Sequence, residues 1–511
     1  MATTKKPAAK TPAAKAAPAK ASATATTTKK AGGLDGFFKI SQRGSSIGTE
    51  VRGGLTTFFT MAYIVVLNPI ILVGVAQVPG APLIGGGDPS NPADVTHAIV
   101  MVAAVTALVA GVMTIVMGFV ANFPLALAAG LGLNAFVGYG LVVGKGYSWP
   151  EAMGMIVLEG TVVLILVLTK FRIKILYAVP VALKKAIAVG IGLFLAFIGL
   201  ADANIVTAGS GTLTQFGHGG YIDKWPMVVF LIGLVTAIVL MARKVKGALL
   251  ISIGVATVVA FIIEKVQPQK WSLVAPTFSG KDVNFSPDFG LLGKVSVFGG
   301  FSGDGVAWKL ILTGVLVVFS LLVVDFFDTM GTMTAVGEEG GLNDEDDIPE
   351  GSQKILIVDS VAAIAGGAAS ASSNTSYIES AAGVGDGART GLASVVTGLA
   401  FLAAMFLTPL YQVVPFEAAT PVLVVVGFLM VTLVSDIDWK DLRIAIPAFL
   451  TIIVMPFGYS ISAGIGFGFI SYVILSVATG KAKEVKVLMW IVAALFAVYF
   501  ALGPIDQLIN G

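Results

Sequence analysis

Apolar residues fill this chain of 511 residues in long runs, without the strict alternation of apolar and polar positions that marks β-strands. The runs are about 18 to 25 residues long, which is the length that a helix needs to cross about 30 Å of hydrocarbon. Backbone polar groups in lipid must be paired within the structure, so these runs indicate helices and not a barrel. The pattern predicts an all-α polytopic membrane protein.

About fourteen membrane segments are predicted, seven on each side of a polar, Gly-rich stretch from Glu264 to Trp308. The predicted segments are 57–75, 97–120, 123–143, 152–169, 178–200, 226–242, 247–264, 309–336, 355–370, 371–386, 389–410, 419–434, 442–478 and 485–503. The 442–478 run is too long for one simple helix. Its Pro447, Pro456 and Gly458 are expected to divide it into two short helices or a re-entrant pair.

The predicted organisation has four parts. Residues 1–36 form a disordered basic tail of Ala, Lys, Thr and Pro that lacks the apolar core of a signal peptide. Residues 37–265 form the first set of seven segments, and 308–511 form the second. Residues 266–307 form an external loop between the two sets.

The composition agrees with a membrane protein, because 56% of the residues are hydrophobic and 12% are charged, against about 25% charged in soluble proteins. The chain has no cysteine and two histidines, so we expect neither a disulfide nor a metal site. We expect no cofactor and no nucleic-acid partner. Membrane lipids are expected to surround the segments.

Basic residues in the short loops predict a cytoplasmic amino terminus. Lys170, Arg172 and Lys174 follow the fourth segment, and Arg243, Lys244 and Lys246 follow the sixth. The long external loop then lies on the opposite side. The loop with Lys481, Lys483 and Lys486 also favours the inside, yet fourteen single crossings would place it outside.

The third segment is rich in glycine, at Gly130, Gly132, Gly138 and Gly140, with Asn134 among them. Glycine weakens a helix by about 1 kcal/mol relative to alanine, and it lets a ligand or another backbone approach closely. Two interpretations stay open. The segment is either an interrupted helix at a binding site or a close packing of small residues between helices.

The tenth segment carries hydroxyl or amide side chains without a break from Ser372 to Tyr377, and Glu379 follows. An unwound chain that enters a short helix fits this pattern, and the free N–H groups of such a helix would face a ligand. The alternative is an ordinary loop outside the membrane. Thr375 and Ser376 are candidate substrate contacts.

The two unusual segments are third in the first set of seven and third in the second set. Paired interrupted helices at corresponding positions indicate a transporter built as an inverted repeat, with its substrate site between them. No residue-level repeat is evident between the halves. The prediction therefore depends on the position of the two breaks.

Two aspartates, Asp325 and Asp328, lie inside the eighth segment and share one helix face. An acid at the centre of a membrane helix costs about 2.5–3.5 kcal/mol, so both must face protein or water. The side chains could pair structurally with backbone or Thr of a neighbouring helix. We favour a functional role for them.

Asp325, Asp328 and Glu379 around one cavity could accept N–H bonds from a planar heterocycle. Burial disfavours the charged form of a carboxyl, so such an acid could also carry a proton and couple it to substrate binding. Asn134 would add an amide. Phe58, Phe59 and Phe136 are candidates for stacking on the ring.

A channel and a membrane enzyme are the alternatives to a symporter. A channel needs neither proton coupling nor saturable binding. A membrane enzyme is disfavoured, because the sequence contains no nucleophile–base set, metal cluster or phosphate loop. We therefore expect no enzymatic activity.

Four stretches resemble the nucleobase–cation symporter / nucleobase–ascorbate transporter superfamily, and most closely the AzgA-like purine permeases for adenine, guanine and hypoxanthine. They are GTEVRGGLTTFFTMAYIVVLNPIIL (48–72), AGLGLNAFVGYG (129–140), VDFFDTMGT (324–332) and SSNTSYIESAAGVGDGARTGLASVVTG (372–398). The resemblance covers about 40–505.

The resemblance implies two inverted sets of seven segments, with segments 1–4 and 8–11 as a core domain and the others as a gate domain. The core would move against the gate to give alternating access. A location in the cell membrane and a homodimer are compatible with the resemblance. The expected function is proton-coupled import of purine nucleobases, with a related transporter of xanthine or uracil as the alternative and an anion transporter as a weaker one.

The resemblance also implies roles for single residues. Asn134, Asp325 and Glu379 would bind the purine, and Gly132 and Asp328 would support the transport cycle. Which aspartate touches the base stays open. Relatives that carry pyrimidines have a histidine near the position of Thr332, so we expect the acids, not a histidine, to carry the proton here.

Overall fold

The structure, a computed structural model, describes residues 33–169, 179–209, 211–272, 275–277, 285–302, 307–344, 348–411, 413–502 and 504. Most of the predicted basic tail, the basic loop after the fourth segment and part of the external loop lie outside these residues. Nine helices in the described part are long and apolar enough to cross a membrane. The prediction of a polytopic α-helical membrane protein is confirmed.

The main elements of the first half are α1 (Ile47–Met61), α2 (Ile64–Gly74), α3 (Pro92–Val120), β1 (Leu127–Ala129), α4 (Leu131–Ala135), a π-helix (Phe136–Val143), α5 (Trp149–Leu168), α6 (Val181–Asp202), α7 (Trp225–Ala242) and α8 (Ala248–Val266). Those of the second half are α9 (Ala307–Gly340), α10 (Ser352–Ala368), β2 (Asn374–Ser376), α11 (Ser380–Gly385), α12 (Gly391–Ala404), α13 (Pro421–Val431), α14 (Leu442–Phe457), α15 (Ile461–Ala478) and α16 (Val487–Phe500). Shorter helical turns lie at Leu34–Phe38, Ser41–Arg43, Val75–Gln77, Gly299–Phe301, Met405–Leu407, Thr408–Tyr411, Phe416–Ala419, Thr432–Asp436 and Ala482–Glu484, and Val206–Thr207 pairs with Gln215–Phe216.

Both segments that the sequence marked as interrupted are broken in the structure. The third consists of β1, the short helix α4 and the π-helix, and the tenth consists of β2 and α11. The strands β1 and β2 pair antiparallel, with Leu127 opposite Ser376 and Ala129 opposite Asn374. Because each strand bonds to the other, the extended backbone in the middle of the bundle keeps its polar groups paired.

The helices pack as two groups. The first group holds α1 to α5 together with α9 to α12, and the third and tenth segments cross inside it. The second group holds α6 to α8 together with α13 to α16. This division follows the core and gate that the family resemblance implies, and we use these two names for the groups.

Small residues let the core helices approach closely. A Cβ atom on Gly391, at the start of α12, would collide with the Gly118 carbonyl group of α3. A Cβ atom on Gly54 of α1 would collide with the Ala393 carbonyl oxygen of α12. Close backbone approach of this kind is a main source of helix association where no water is available to drive burial.

The described loops group at opposite ends of the bundle. Arg43, near the amino terminus, donates to the Asn122 and Arg389 carbonyl oxygens, so three connections meet at one end. At the other end, the Ser296 amide donates to the Pro150 carbonyl oxygen and the Gly293 amide to that of Ala368. The 285–302 part of the long loop therefore lies opposite the end that holds Arg43.

The 442–478 run is two helices, α14 and α15, as one of the two predicted alternatives had it. The break falls between Gly458 and Ser460, and Pro447 and Pro456 both lie inside α14. Ser460 caps α15 by accepting the Ala463 amide at 3.2 Å. The extra helix places the loop with Lys481, Lys483 and Lys486 beside the start of α14, where Arg443 pairs with Glu484. Eight apolar segments thus follow the long loop in the described residues, which removes the conflict over the side of these lysines.

Candidate functional site

The crossing of the third and tenth segments lies at the centre of the core. Beyond the strand pairs, the Gly130 amide donates to the Ser373 carbonyl oxygen at 2.9 Å, and the Tyr377 amide donates to that of Ala126 at 3.0 Å. The Tyr377 hydroxyl donates to the Ala129 carbonyl oxygen. These bonds fix two short helices so that both begin at the same buried place.

The start of α11 is less open to a ligand than the sequence suggested. The amides of Ser380, Ala381 and Ala382 donate to the carbonyl oxygens of the three residues before them, Tyr377 to Glu379. Those three N–H groups are therefore already paired. Backbone donation to a ligand at this end of α11 would come from the two residues that precede Ser380.

Glu379 stands at the cap of α11 and is half-buried. Its Oε1 accepts a hydrogen bond from the Tyr63 hydroxyl at 2.5 Å, which joins the first and tenth segments. The next side chain along, Ile378, is 47% exposed although it lies within the bundle. The carboxylate of Glu379 is thus both held in place and next to open space.

The two aspartates of α9 differ in accessibility. Asp325 is fully buried, whereas Asp328 is exposed to the open space beside α11. Glu379 interacts electrostatically with Asp328. A molecule that enters this space meets the carboxylates of Asp328 and Glu379 first, and it cannot reach Asp325 without a rearrangement.

Thr375 and Ser376, both on β2, take part in a buried hydroxyl network. The Thr329 hydroxyl of α9 donates to the Asp359 carboxylate at 2.8 Å, and the Ser376 hydroxyl donates to the other Asp359 oxygen at 2.8 Å. The Thr375 hydroxyl lies 2.9 Å from that of Thr329. These two predicted contact residues are therefore already bonded to neighbouring helices.

Asn134 lies in α4 and is fully buried. Neither the oxygen nor the nitrogen of its side-chain amide has a partner among the residues that the structure describes. Buried amides are nearly always hydrogen-bonded, so this one has capacity left for a ligand. Phe136, two residues later, is buried as the first residue of the π-helix.

Gly132 faces the gate. A Cβ atom at this position would lie 2.7 Å from Cγ2 of Ile191 on α6. Each interpretation of the glycines in the third segment thus holds in part. The helix is interrupted, and Gly132 permits a close packing between core and gate. Thr332, one helical turn after Asp328, is buried on α9.

Phe58 packs against other aromatic rings. Its ring meets that of Phe401 on α12 edge to face, with centroids 5.1 Å apart, and that of Phe59 at 5.3 Å. A stacking role for Phe58 or Phe59 stays a prediction.

Three residues of this region were not foreseen from the sequence: Tyr63, Glu159 and Asp359. The signal for the two acids was present, because Glu159 interrupts the apolar run of α5 and Asp359 that of α10. Lone acids in membrane segments mark functional sites by default. Tyr63 carried no such signal, since its role depends on a partner 316 residues away.

Comparisons with known proteins agree with the resemblance noted from the sequence. A family profile described as Permease family matches residues 48–467. The guanine/hypoxanthine permease PbuG of Bacillus subtilis is 37% identical over 471 residues, covering 91% of this chain and 98% of the relative. The adenine permease AdeQ of Escherichia coli is 36% identical over 475 residues, covering 93% and 97%.

A solved structure shares the fold at low sequence identity. The transmembrane domain of the cyanobacterial bicarbonate transporter BicA superposes with a TM-score of 0.54 and 14% identity, covering 81% of this chain and 97% of that one. At such identity the likeness concerns the fold alone. Fold does not determine cargo, which depends on the side chains at the site.

Proposed function

This chain belongs to the permease family, and on that premise we propose that it imports purine nucleobases across the cell membrane by proton symport with alternating access. The observation that carries the proposal is the pair of accessible carboxylates, Asp328 and Glu379, at the crossing of the two broken segments. The amino terminus would be cytoplasmic, because Lys246 lies at the same end of the bundle as Arg43 and Arg389.

A purine base offers ring and exocyclic N–H donors together with ring nitrogen acceptors. The carboxylates of Asp328 and Glu379 can each accept an N–H group, and charge-assisted bonds of this kind are the strong ones. The Asn134 amide can both donate and accept, but it is as buried as Asp325 and would meet the base only after a movement that opens this position. A base that fills these positions would satisfy groups that otherwise stay unpaired in the membrane interior.

Of the two aspartates, Asp328 is proposed as the direct contact with the base, because Asp325 is closed off from the open space. Glu379 would act with it. The Tyr63 hydroxyl orients Glu379, so the carboxylate does not need to be ordered when the base arrives.

Alternating access would use the boundary between core and gate. Gly132 and Ile191 touch across this boundary, and the Lys246 ammonium after α7 pairs with Asp386 after α11. Movement of the core along the gate would break the second contact and slide the first. Two such contacts are few enough to be broken and re-formed during a transport cycle.

The relatives supply the cargo class. PbuG is a guanine/hypoxanthine permease and AdeQ an adenine permease, so adenine, guanine and hypoxanthine are the proposed substrates. An inorganic anion, as carried by BicA, would be repelled by the carboxylates of Asp328 and Glu379. A channel would not require the tightly oriented carboxylate that Tyr63 holds.

Uptake of labelled purines by cells that lack their own purine permeases tests this proposal. We expect saturable uptake that falls when a protonophore is added, and competition by unlabelled adenine, guanine or hypoxanthine but not by xanthine or uracil. Protein at the membrane without purine uptake would refute the proposal. Purine uptake that the protonophore does not reduce would refute the proton coupling alone.

A further inference from the structure

Glu159 and Asp325 form a carboxyl pair that the proposed contacts with the base do not use. Glu159 lies on α5 and Asp325 on α9, and both side chains are fully buried. The two helices pack against each other, and the two carboxyl groups interact electrostatically. Asp359 on α10 brings a third acid close to both.

The pair has no donor to satisfy it. None of the four carboxyl oxygens of Glu159 and Asp325 accepts a hydrogen bond from the residues that the structure describes. Two ionised carboxylates side by side repel, and each buried charge without a partner is strongly destabilising. Two carboxyl groups bond to each other only when one of them carries a proton.

One hydroxyl lies near the pair. Thr375 lies beside Asp325, and its single proton can serve either Asp325 or the Thr329 hydroxyl 2.9 Å away, whose own proton goes to Asp359. One hydroxyl proton cannot satisfy the two carboxyl groups of Glu159 and Asp325. Asp359 itself receives two donors, from Thr329 and Ser376. Asp359 can therefore stay ionised, whereas the Glu159–Asp325 pair cannot without a proton.

We propose that the Glu159–Asp325 pair is a proton-binding site that couples transport to the proton gradient, separate from the carboxylates that touch the base. The inference rests on the proton symport proposed above. One proton shared between the two groups gives the pair a charge of −1, and its departure as H⁺ leaves −2. No other bond changes.

The position of the pair explains how protonation would reach the substrate site. Asp325 is one helical turn from Asp328, and Thr375 is on the strand that leads to Glu379. Asp328 and Asp359 are the other acids facing the pair, and no ion pair from lysine, arginine or histidine reaches any of these four acids in the described residues. The protonated pair suits this conformation, in which both side chains are buried, and the doubly charged pair favours one that admits water.

The experiment compares two modes of transport by purified protein in liposomes. Counterflow of labelled hypoxanthine against unlabelled hypoxanthine needs only binding and movement of the site. Accumulation driven by an acidic exterior needs proton coupling as well. We expect Glu159→Gln to retain counterflow within about threefold of the wild type and to lose accumulation. Glutamine keeps the shape of the side chain but cannot bind and release a proton.

Glu417→Gln is the matched control. Glu417 is equally buried but lies in the gate and accepts from the amide and hydroxyl of Ser272. This variant should accumulate hypoxanthine as the wild type does. A second measurement covers a poorly transporting variant. The dissociation constant of hypoxanthine in detergent should change more steeply with pH in the wild type than in Glu159→Gln, which keeps the carboxyl groups of Asp328 and Glu379.

The outcomes separate the two proposals. A wild type that exchanges hypoxanthine but never accumulates it would refute proton symport, and with it this inference. If the wild type and Glu159→Gln accumulate hypoxanthine equally well, the proposed role of the pair in proton coupling is wrong, whereas proton symport itself is not. Loss of hypoxanthine binding at every pH in the folded variant would also overturn it, because the pair would then be part of the substrate site.

Discussion

The Tyr63 hydroxyl donates to Glu379 Oε1 across 2.5 Å, and this bond joins the first segment of the core to the tenth. Tyr63 is buried, so the bond is shielded from water. It gives the half-buried carboxylate one fixed orientation at the edge of the open space. A substrate that donates an N–H group to Glu379 would therefore depend on Tyr63, although it need not touch that tyrosine.

Removal of the Tyr63 hydroxyl tests this dependence. Tyr63→Phe deletes a hydrogen bond to a charged group, worth about 1.5–3 kcal/mol, so purine affinity should fall about tenfold or more. Binding of labelled hypoxanthine to purified protein measures the change. Tyr411→Phe is the control, because its hydroxyl donates to the Ala404 carbonyl oxygen in a different part of the chain. Equal affinity of Tyr63→Phe and wild type would contradict the orienting role.

The absence of cysteine from the sequence allows the open space to be mapped by thiol labelling without background. Ile378→Cys, at an exposed position beside Glu379, should react with a thiol reagent and be protected by hypoxanthine. Ser380→Cys, two residues later and fully buried, should react at least about tenfold more slowly, because reactivity requires access. Similar rates at the two positions, or labelling of Ile378→Cys that hypoxanthine does not slow, would argue against a substrate space at this place.

Gly132 should be sensitive to a single methyl group. Gly132→Ala puts a Cβ atom 2.7 Å from Ile191 Cγ2, so we expect slower transport with little loss of hypoxanthine binding. Ile191→Ala removes the clashing atom, and the double variant should recover part of the rate. The matched control is Gly254→Ala, where a Cβ atom would meet nothing within 4 Å. Additive effects of the two substitutions would contradict the contact.

The bond between Lys246 and Asp386 should have a defined pH dependence. The hydrogen bond from the Lys246 ammonium, and after it that from the Thr56 hydroxyl, hold the pKa of the Asp386 carboxyl below its usual value. A lowered carboxyl pKa stabilises the folded protein above the ordinary value, and this contribution disappears as the pH falls through the lowered one. Asp386→Asn should therefore lower the melting temperature slightly, by about 1 °C, at pH 7.

At acidic pH that difference should vanish. Below the lowered pKa of Asp386 the wild type is protonated at this position too, and it should melt together with Asp386→Asn. Asp438→Asn serves as the control, since Asp438 lies in a loop of the gate and, among the described residues, accepts from the Lys440 amide of the same loop. If the melting temperatures of the wild type and Asp386→Asn differ equally at pH 7 and in acid, the ion pair is not the cause of that difference.

The membrane segments were largely predictable from the sequence, because span length is a local property of an apolar run. The predicted run 97–120 corresponds to α3 at Pro92–Val120, and the length of the run 442–478 indicated more than one helix. Of the residues expected to divide that run, Gly458 lies at the break, whereas Pro447 and Pro456 lie inside α14. The breaks in the third and tenth segments followed from local glycine and hydroxyl content. The pairing of the two strands at these breaks did not, since three-residue strands carry no signal for a partner about 250 residues away.

The site was predictable only in part. Asp328 and Glu379 do lie together, as acids in membrane segments suggested, but the different accessibility of Asp325 and Asp328 depends on how α9 packs. Of two residues on one helix face, one can point into a cavity while the other packs against protein. Glu159 was not predicted, because its interaction with Asp325 joins segments that are 166 residues apart.

Counterflow by purified protein in liposomes tests the central claim of purine transport most directly, because no other permease is present. Liposomes loaded with unlabelled hypoxanthine should take up labelled hypoxanthine transiently above equilibrium, and external adenine or guanine should compete. Glu379→Gln, folded and reconstituted equally well, should reduce the signal at least about tenfold through loss of a charge-assisted bond. Absence of counterflow with every purine by the wild type would contradict the account, and full activity of Glu379→Gln would remove that residue from the site.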